Sequence, residues 1–180
     1  MTLKDLNITK DWTLFLDRDG VINKKLDNDY VKHWMEFEFE KDVVQNFKKL
    51  NEVFGTVVVV TNQQGIGKGV YTKEDLELIH NNMLYELKYH KGIIDKVYYS
   101  PYLASENHET RKPNIGMALQ AKKDFPHIDL TKSIIVGDSI SDMEFGRTAG
   151  MRTVYISNKK VTDPKIDLQF NSLSEFIAAL

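Results

Sequence analysis

The chain has 180 residues, 24 Lys and Arg against 26 Asp and Glu, a formal net charge of −2 and no cysteine. That length suits one domain, 1–180, with a substantial core and leaves no room for two full ones, and the near-neutral charge supplies no basic field of the kind nucleic-acid binding needs. The lack of cysteine excludes disulfides, thiol nucleophiles and thiolate zinc sites; Lys4, Asp5, Lys10 and Asp11 break the early apolar residues, so the reading is a soluble, cytoplasmic protein with no membrane partner.

The first element is the apolar run Leu14-Phe15-Leu16, a short strand buried on both faces, which runs into Asp17-Arg18-Asp19-Gly20. Two carboxylates at the mouth of a buried strand need compensation, because an unpaired buried charge is strongly destabilising. A metal ion is one source of it, and a polar turn with Gly20 at positive φ is the plain alternative. The stretch 24–39 is long enough only for a small flap, in which Tyr30, Trp34 and Phe37 either wall a pocket or pack in the core. Glu40 to Asn51 places Val43, Val44, Phe47 and Leu50 at helical spacing with Lys48 and Lys49 on the wet side. After Gly55, the β-branched run Thr56 to Val60 reads as an interior parallel strand stopping at Thr61-Asn62.

Gly65-Ile66-Gly67-Lys68-Gly69 lacks the spacing of a nucleotide-binding loop and reads as a flexible turn before a helix. That helix opens with the capping box Thr72-x-x-Asp75, buries Leu76, Ile79, Met83, Leu84 and Leu87, and ends before Gly92. Val97-Tyr98-Tyr99 is a third strand, Pro113 is placed in the first turn of a helix carrying Met117, Leu119 and Ala121, and Pro126 ends it. Ser133 to Gly137 is a buried strand followed by Asp138 and a helix through Thr148, and Thr153 to Ile156 is the last strand. The Lys-Lys pairs beginning at 24, 48, 122 and 159 read as solvated charge. Alternating strands and helices imply an α/β fold of three layers, Rossmann-like, with a central parallel sheet, helices on both faces and no large cap domain.

Ligands of such sheets sit beyond the carboxyl ends of the strands. That rule gathers Asp17 and Asp19, Thr61 and Asn62, and Asp138 with Asp142, and a loop adds Arg111-Lys112-Pro113. The set suits phosphoryl transfer to Asp17 as nucleophile, with water cleaving the aspartyl-phosphate afterwards. An anion must then attack an anion; at about 3.5 Å and an effective dielectric of 20, each like-charge pair opposes the approach by roughly 5 kcal/mol. Mg²⁺ matches the hard oxygens of Asp17, Asp138 and a backbone carbonyl near Asp19, and Lys112 supplies a second positive charge. Thr61 and nearby amides would hold phosphate oxygens, Asp19 would move the proton, and Asp142 would steer Lys112 or a metal-bound water.

The segments Asp17 to Asn23, Thr61 to Ile66, Arg111 to Pro113 and Gly137 to Asp142 resemble, in order, the four motifs of the haloacid-dehalogenase superfamily. A narrower likeness, carried by Asp17 to Asn23, Tyr30-Val31, Phe37 to Phe39, Thr61 to Gly69 and Arg111 to Met117, is to the D-glycero-D-manno-heptose 1,7-bisphosphate phosphatases and their histidinol-phosphatase relatives. The resemblance implies hydrolysis of a small phosphate ester with one Mg²⁺ ion held by Asp17, Asp19 and Asp138. It also implies substrate phosphate contacts from Thr61, Asn62, Gln63, Arg111 and Lys112, with Asp142 in support. The family's loop zinc is not carried over: Ser100 to Thr110 is short and offers only His108, which reads as a surface residue. Monomer and homo-oligomer remain open, since a capless site admits either an extended substrate or a lid lent by another subunit.

Other readings compete. A phosphate-binding module that turns nothing over would leave Asp17 and Asp19 together without a purpose. A receiver domain wants an adjacent acidic pair on one strand and its acceptor Asp on another, whereas the second strand here ends in Thr61. A DxD glycosyltransferase leaves Lys112, Asp138 and Asp142 unexplained. The segments around Thr61 and Arg111 also resemble the 3′-phosphatase domain of polynucleotide kinase phosphatases, against which the slightly acidic charge weighs.

Overall fold

Six runs rich in β-branched and aromatic residues pair into one sheet in the computed structural model, which describes residues 2–180. They are β1 (Thr13–Leu16), β2 (Thr56–Asn62), β3 (Lys96–Ser100), β4 (Ser133–Gly137), β5 (Arg152–Ile156) and β6 (Leu168–Phe170). All pairings are parallel, in the order β3-β2-β1-β4-β5-β6. The helices are α1 (Val43–Asn46), α2 (Lys48–Val53), α3 (Gln64–Gly67), α4 (Lys73–Tyr89), α5 (Gly116–Asp124), α6 (Ile140–Ala149) and α7 (Leu173–Ala179).

Successive strand residues face opposite sides, so each central strand feeds two cores. Leu14, Leu16, Val57, Val59, Ile134 and Val136 pack under Phe47, between α1 and α2, and under Leu50, Ile79, Met83 and Phe176 from α2, α4 and α7. Phe15, Val58, Val60 and Ile135 pack under Met117, Ala118, Ala121 and Phe145 from α5 and α6. Burying each of these Val, Leu, Ile, Phe and Met side chains is worth about 1.5 to 3 kcal/mol, and burial on both faces makes the strands an almost continuous apolar run.

The three-layer α/β expectation holds, and four local expectations change. The helix expected from Glu40 starts only at Val43, because Asp42 has φ 60°, outside the helical region, and it is interrupted at Phe47 before running to Val53. Pro113 precedes its helix rather than opening it: Lys112–Pro113 is cis, and the chain turns back so that Asn114 N donates to Arg111 O and Gly116 N to Glu109 O. A Cβ at Gly116 would run into the Glu109 backbone, so the fold-back requires glycine there. Gly65 to Gly69 is in part a helical turn, α3, with Gly65 buried against the Tyr71 ring. Finally, Thr153 to Ile156 is not the last strand; half-buried β6 pairs beside it, and α7 follows.

The expected capping box of α4 forms, with Asp75 N donating to Thr72 Oγ1 and Thr72 N to Asp75 Oδ2. No helix is long and apolar enough to cross a membrane among the described residues.

Candidate active site

The strand order reverses at β1, with β2 and β3 added on one side and β4 to β6 on the other, so the crevice expected in an open parallel sheet opens beyond its carboxyl end. Asp17 N donates to Val136 O at 2.9 Å and carries the ladder one residue past β1 into that crevice. Gly20 then turns the chain at φ +83°, and a Cβ there would run into the Asp138 carboxylate. The result is a cavity of about 250 Å³ into which Asp17, Asp19, Thr61, Asn62, Gln63, Arg111, Lys112, Asp138 and Asp142 all converge.

Lys112 is the electrostatic centre. Its ammonium, almost fully buried, lies 2.6 Å from Asp142 Oδ1 and 3.0 Å from Asp17 Oδ1, and donates to Val60 O at 2.7 Å. Its backbone is clamped too: Lys112 N donates to Asn62 Oδ1 and Asn62 Nδ2 donates to Lys112 O, both at 3.0 Å. Burial opposes its charge, but the two carboxylates outweigh burial and raise its pKa. Asp142, completely buried, is the N3 residue of the α6 cap, accepting from Ser139 N at 3.1 Å and Ser139 Oγ at 2.5 Å. It faces Lys112 because the capping box fixes it one turn beyond Asp138.

The two carboxylates of the β1 turn meet opposite surroundings. Burial pushes the Asp17 carboxyl up to about 7, with Asp142, Asp138 and Asp19 adding repulsion and Lys112 opposing. Burial would also raise Asp19, yet Arg18 and hydrogen bonds from Asn23, Arg18 and Gln63 together hold it below the usual range. Arg18 Nη2 donates to Asp19 Oδ1 and Oδ2 at 2.9 and 3.0 Å, Asn23 Nδ2 to Oδ1 at 2.9 Å and Gln63 Nε2 to Oδ2 at 2.9 Å.

The side chains of Asn62 and Gln63, the residues expected to touch substrate phosphate, make hydrogen bonds within the protein. Gln63 Nε2 also donates to Thr61 Oγ1 at 2.8 Å, and its Oε1 accepts from Tyr71 OH at 2.5 Å. Arg111 stands at the mouth, half-buried, with Nη1 on Tyr102 O at 3.0 Å. His108 is more than a surface residue: it stacks on Tyr102 with ring centroids 3.5 Å apart and shares a hydrogen bond with Thr110, so it ties down the loop that carries Arg111.

A divalent cation fits. One carboxylate oxygen each from Asp17, Asp138 and Asp142 lies within 4.8 Å of the others. Asp138 Oδ1 is buried with no hydrogen-bond partner, while burial, opposed by Lys25, raises the Asp138 pKa. Asp142 is already taken by Lys112 and Ser139, and the Asp19 side chain by its donors, so Asp17 and Asp138 are the carboxylates that could hold a cation.

The 24–39 segment contributes Lys25, Leu26, Asp29, Tyr30 and Val31 to the cavity wall. Of the three aromatics considered for that wall, Tyr30 lines it, opposite Tyr71 at 6.1 Å, whereas Trp34 and Phe37 stack at 4.9 Å against the core. Sequence reading missed Lys25, taken for solvated charge, whose Nζ lies 2.6 Å from Asp138 Oδ2. It also missed that Arg18 is wholly buried, with Nη1 against His80 Nε2 at 3.1 Å. The buried arginine pushes His80 the same way as burial, to a pKa of about 3, so the imidazole is neutral. Only the placement of Arg18 between two acids hinted at this clamp.

Comparison with known proteins agrees with this arrangement. A family model described as polynucleotide kinase 3 phosphatase matches residues 9–175. A D-glycero-alpha-D-manno-heptose-1,7-bisphosphate 7-phosphatase of Mycobacterium bovis is 35% identical over 173 residues, covering 94% of this chain and 91% of its own. A D-glycero-beta-D-manno-heptose-1,7-bisphosphate 7-phosphatase of Helicobacter pylori is 33% identical over 175 residues, covering 94% and 97%. Among solved structures, the D,D-heptose 1,7-bisphosphate phosphatase of B. bronchiseptica, complexed with magnesium and phosphate, superposes with a TM-score of 0.83 at 25% identity, covering 93% of this chain and 96% of that one.

Proposed function

This chain belongs to the polynucleotide kinase 3 phosphatase family, within the haloacid-dehalogenase phosphatases, and we propose that it is a Mg²⁺-dependent phosphatase of a heptose 1,7-bisphosphate. The observation that carries the reading is Asp17: a buried carboxylate 3.0 Å from the Lys112 ammonium and within 4.8 Å of an oxygen of Asp138, whose Oδ1 is buried without a partner. Asp17 Oδ1 already accepts from Arg18 N at 2.7 Å and faces Lys112, so Oδ2 is the oxygen free to attack phosphorus. Attack breaks the bond from phosphorus to the sugar oxygen and forms an aspartyl-phosphate; water then cleaves it, releasing orthophosphate and the Asp17 carboxylate.

A bound Mg²⁺ would supply the positive charge that lets an ionised Asp17 approach a phosphate dianion. Lys112 stabilises the charge growing on the phosphoryl oxygens, and Asn62 and Asp142 fix where it points. The donors around Asp19 hold it as a carboxylate, the form that accepts a proton from the attacking water. In its acid form the same group would protonate the departing sugar oxygen. Arg111, Lys25 and Tyr30 face the opening, where the rest of the substrate would lie. Cytoplasmic action on a soluble sugar phosphate, by one domain spanning 1–180, completes the reading.

The relatives act on different anomers by name, so the deciding assay offers both. We expect orthophosphate release from alpha or beta heptose 1,7-bisphosphate with Mg²⁺, lost on chelation, well above release from histidinol phosphate or a 3′-phosphorylated oligonucleotide. Preference for the oligonucleotide would replace the sugar reading, and release from none of the four would defeat the enzyme reading.

A further inference from the structure

Lys25 is the only basic residue of the 24–39 segment that lines the cavity, and Asp138 is its sole ion-pair partner among the described residues. The other three bases of the cavity all make contacts within the protein. Arg18 grips both oxygens of Asp19, Lys112 is buried between Asp17 and Asp142, and Arg111 donates to a loop carbonyl. The Lys25 side chain is 54% exposed, on a flexible stem, and its ammonium sits 2.6 Å from an oxygen of a carboxylate suited to a divalent cation. An ammonium that close to Asp138 Oδ2 competes with a cation for the carboxylate and is repelled once the cation binds. Displaced, it still belongs to the wall of the cavity that Asp17 also lines.

Resting on the phosphatase reading of this site, we propose that Lys25 is an exchangeable phosphate ligand: it neutralises Asp138 while no divalent cation is bound, and pairs with the substrate phosphoryl group once one is. The two halves pull binding constants in opposite directions, which separates this role from that of an ordinary surface ion pair. Removing the charge frees Asp138 for Mg²⁺ but takes a cation away from the phosphate.

Calorimetric titration of the full chain reads both halves without turnover, using Mg²⁺ alone and then inorganic phosphate in saturating Mg²⁺. Lys25→Met should bind Mg²⁺ about fivefold more tightly and phosphate about tenfold more weakly than wild type, the scale of partly exposed charge pairs. Lys25→Arg, which keeps the charge, should retain phosphate affinity within about threefold. Unchanged constants in Lys25→Met, or both weakened together, would overturn the proposal. Wild type that binds both ligands yet hydrolyses nothing would instead defeat the proposed function and leave the Lys25 exchange standing.

Discussion

Replacing Asp17 by Asn should make the metal-free protein more stable, although it should abolish turnover. Asp17 titrates at about 7 in the fold against 3.8 for a free carboxyl, because it is buried and shares its surroundings with three other acids. A folded-state pKa above the unfolded value means that the native state binds its proton more tightly. Stability from this group is therefore full at low pH and is lost as pH rises from about 4 through 7. Three units at about 1.4 kcal/mol each give roughly 4 kcal/mol at pH 8, and relaxation of the cluster places the observable effect at about 2 to 4 kcal/mol. Asn keeps the shape and removes the charge. In a chain of this length, that corresponds to a melting temperature about 5 to 10 °C above wild type at pH 8 in chelator. The gap should fall to about half by pH 5, where folded wild type carries the proton itself.

The assay is a melting series from pH 4.5 to 8.5 on wild type and Asp17→Asn, each with chelator and with excess Mg²⁺. The comparison is made at each pH because His80 drives both proteins the other way: its pKa is depressed to about 3, so its contribution is lost as pH falls. Excess Mg²⁺ should close the gap by stabilising wild type alone. A variant that melts at or below wild type at pH 8 in chelator would refute the electrostatic account of Asp17.

Three further outcomes follow from the same geometry. Asp19→Asn should lower turnover by about 10² to 10⁴ while inorganic phosphate still binds in calorimetry, since the change removes proton transfer and leaves Asp17 and Asp138 in place. Lys112→Met strands Asp17 and Asp142 as buried acids and should destabilise the fold by about 3 to 5 kcal/mol in denaturant titration at pH 8, less at pH 5. His80→Gln keeps a hydrogen-bonding side chain near Arg18 but cannot take a proton, so the stability wild type loses between pH 6.5 and 3 should shrink in its acid-unfolding curve.

The strands that build the site were legible because each is an apolar run buried on both faces and punctuated by polar residues at its end. The end of β1 could be read as a place for charge, and so could that of β4. Less legible were elements defined by tertiary context. β6 has three half-buried residues, too few for a period to declare itself, and becomes a strand only because β5 offers it an edge. Pro113 looked like a helix opener, but only the fold-back onto Glu109 shows that the helix waits for Gly116. In the site, residue identity marked the right positions and left their partners unknown. Asn62 and Gln63 lie where a phosphate contact belongs, yet their amides hold Lys112 and Asp19. Lys25 belongs to a Lys-Lys pair that carries no local signal, and its contact with Asp138 spans 113 positions.

That division between ends and partners explains why two carboxylates on one turn can differ in kind. Asp17 and Asp19 share a strand end, a flanking arginine and a cavity, so no local feature tells them apart. Arg18 is decisive: fixed by His80 on one side, it spends its Nη2 on both oxygens of Asp19 and offers only a backbone N–H to Asp17. Asp19 is thereby held ionised without a metal, whereas Asp17 depends on Lys112 and a divalent cation to stay charged at neutral pH. Environments that push paired acids apart divide nucleophile from proton carrier in phosphoryl and glycosyl chemistry alike. Here the separation is set by a buried arginine outside the reacting pair. Truncating Arg18 to Met should therefore raise the Asp19 pKa toward that of Asp17 and merge the two titrations in a carboxyl-resolved NMR series; two still-separate midpoints would assign the division to Asn23 and Gln63 instead.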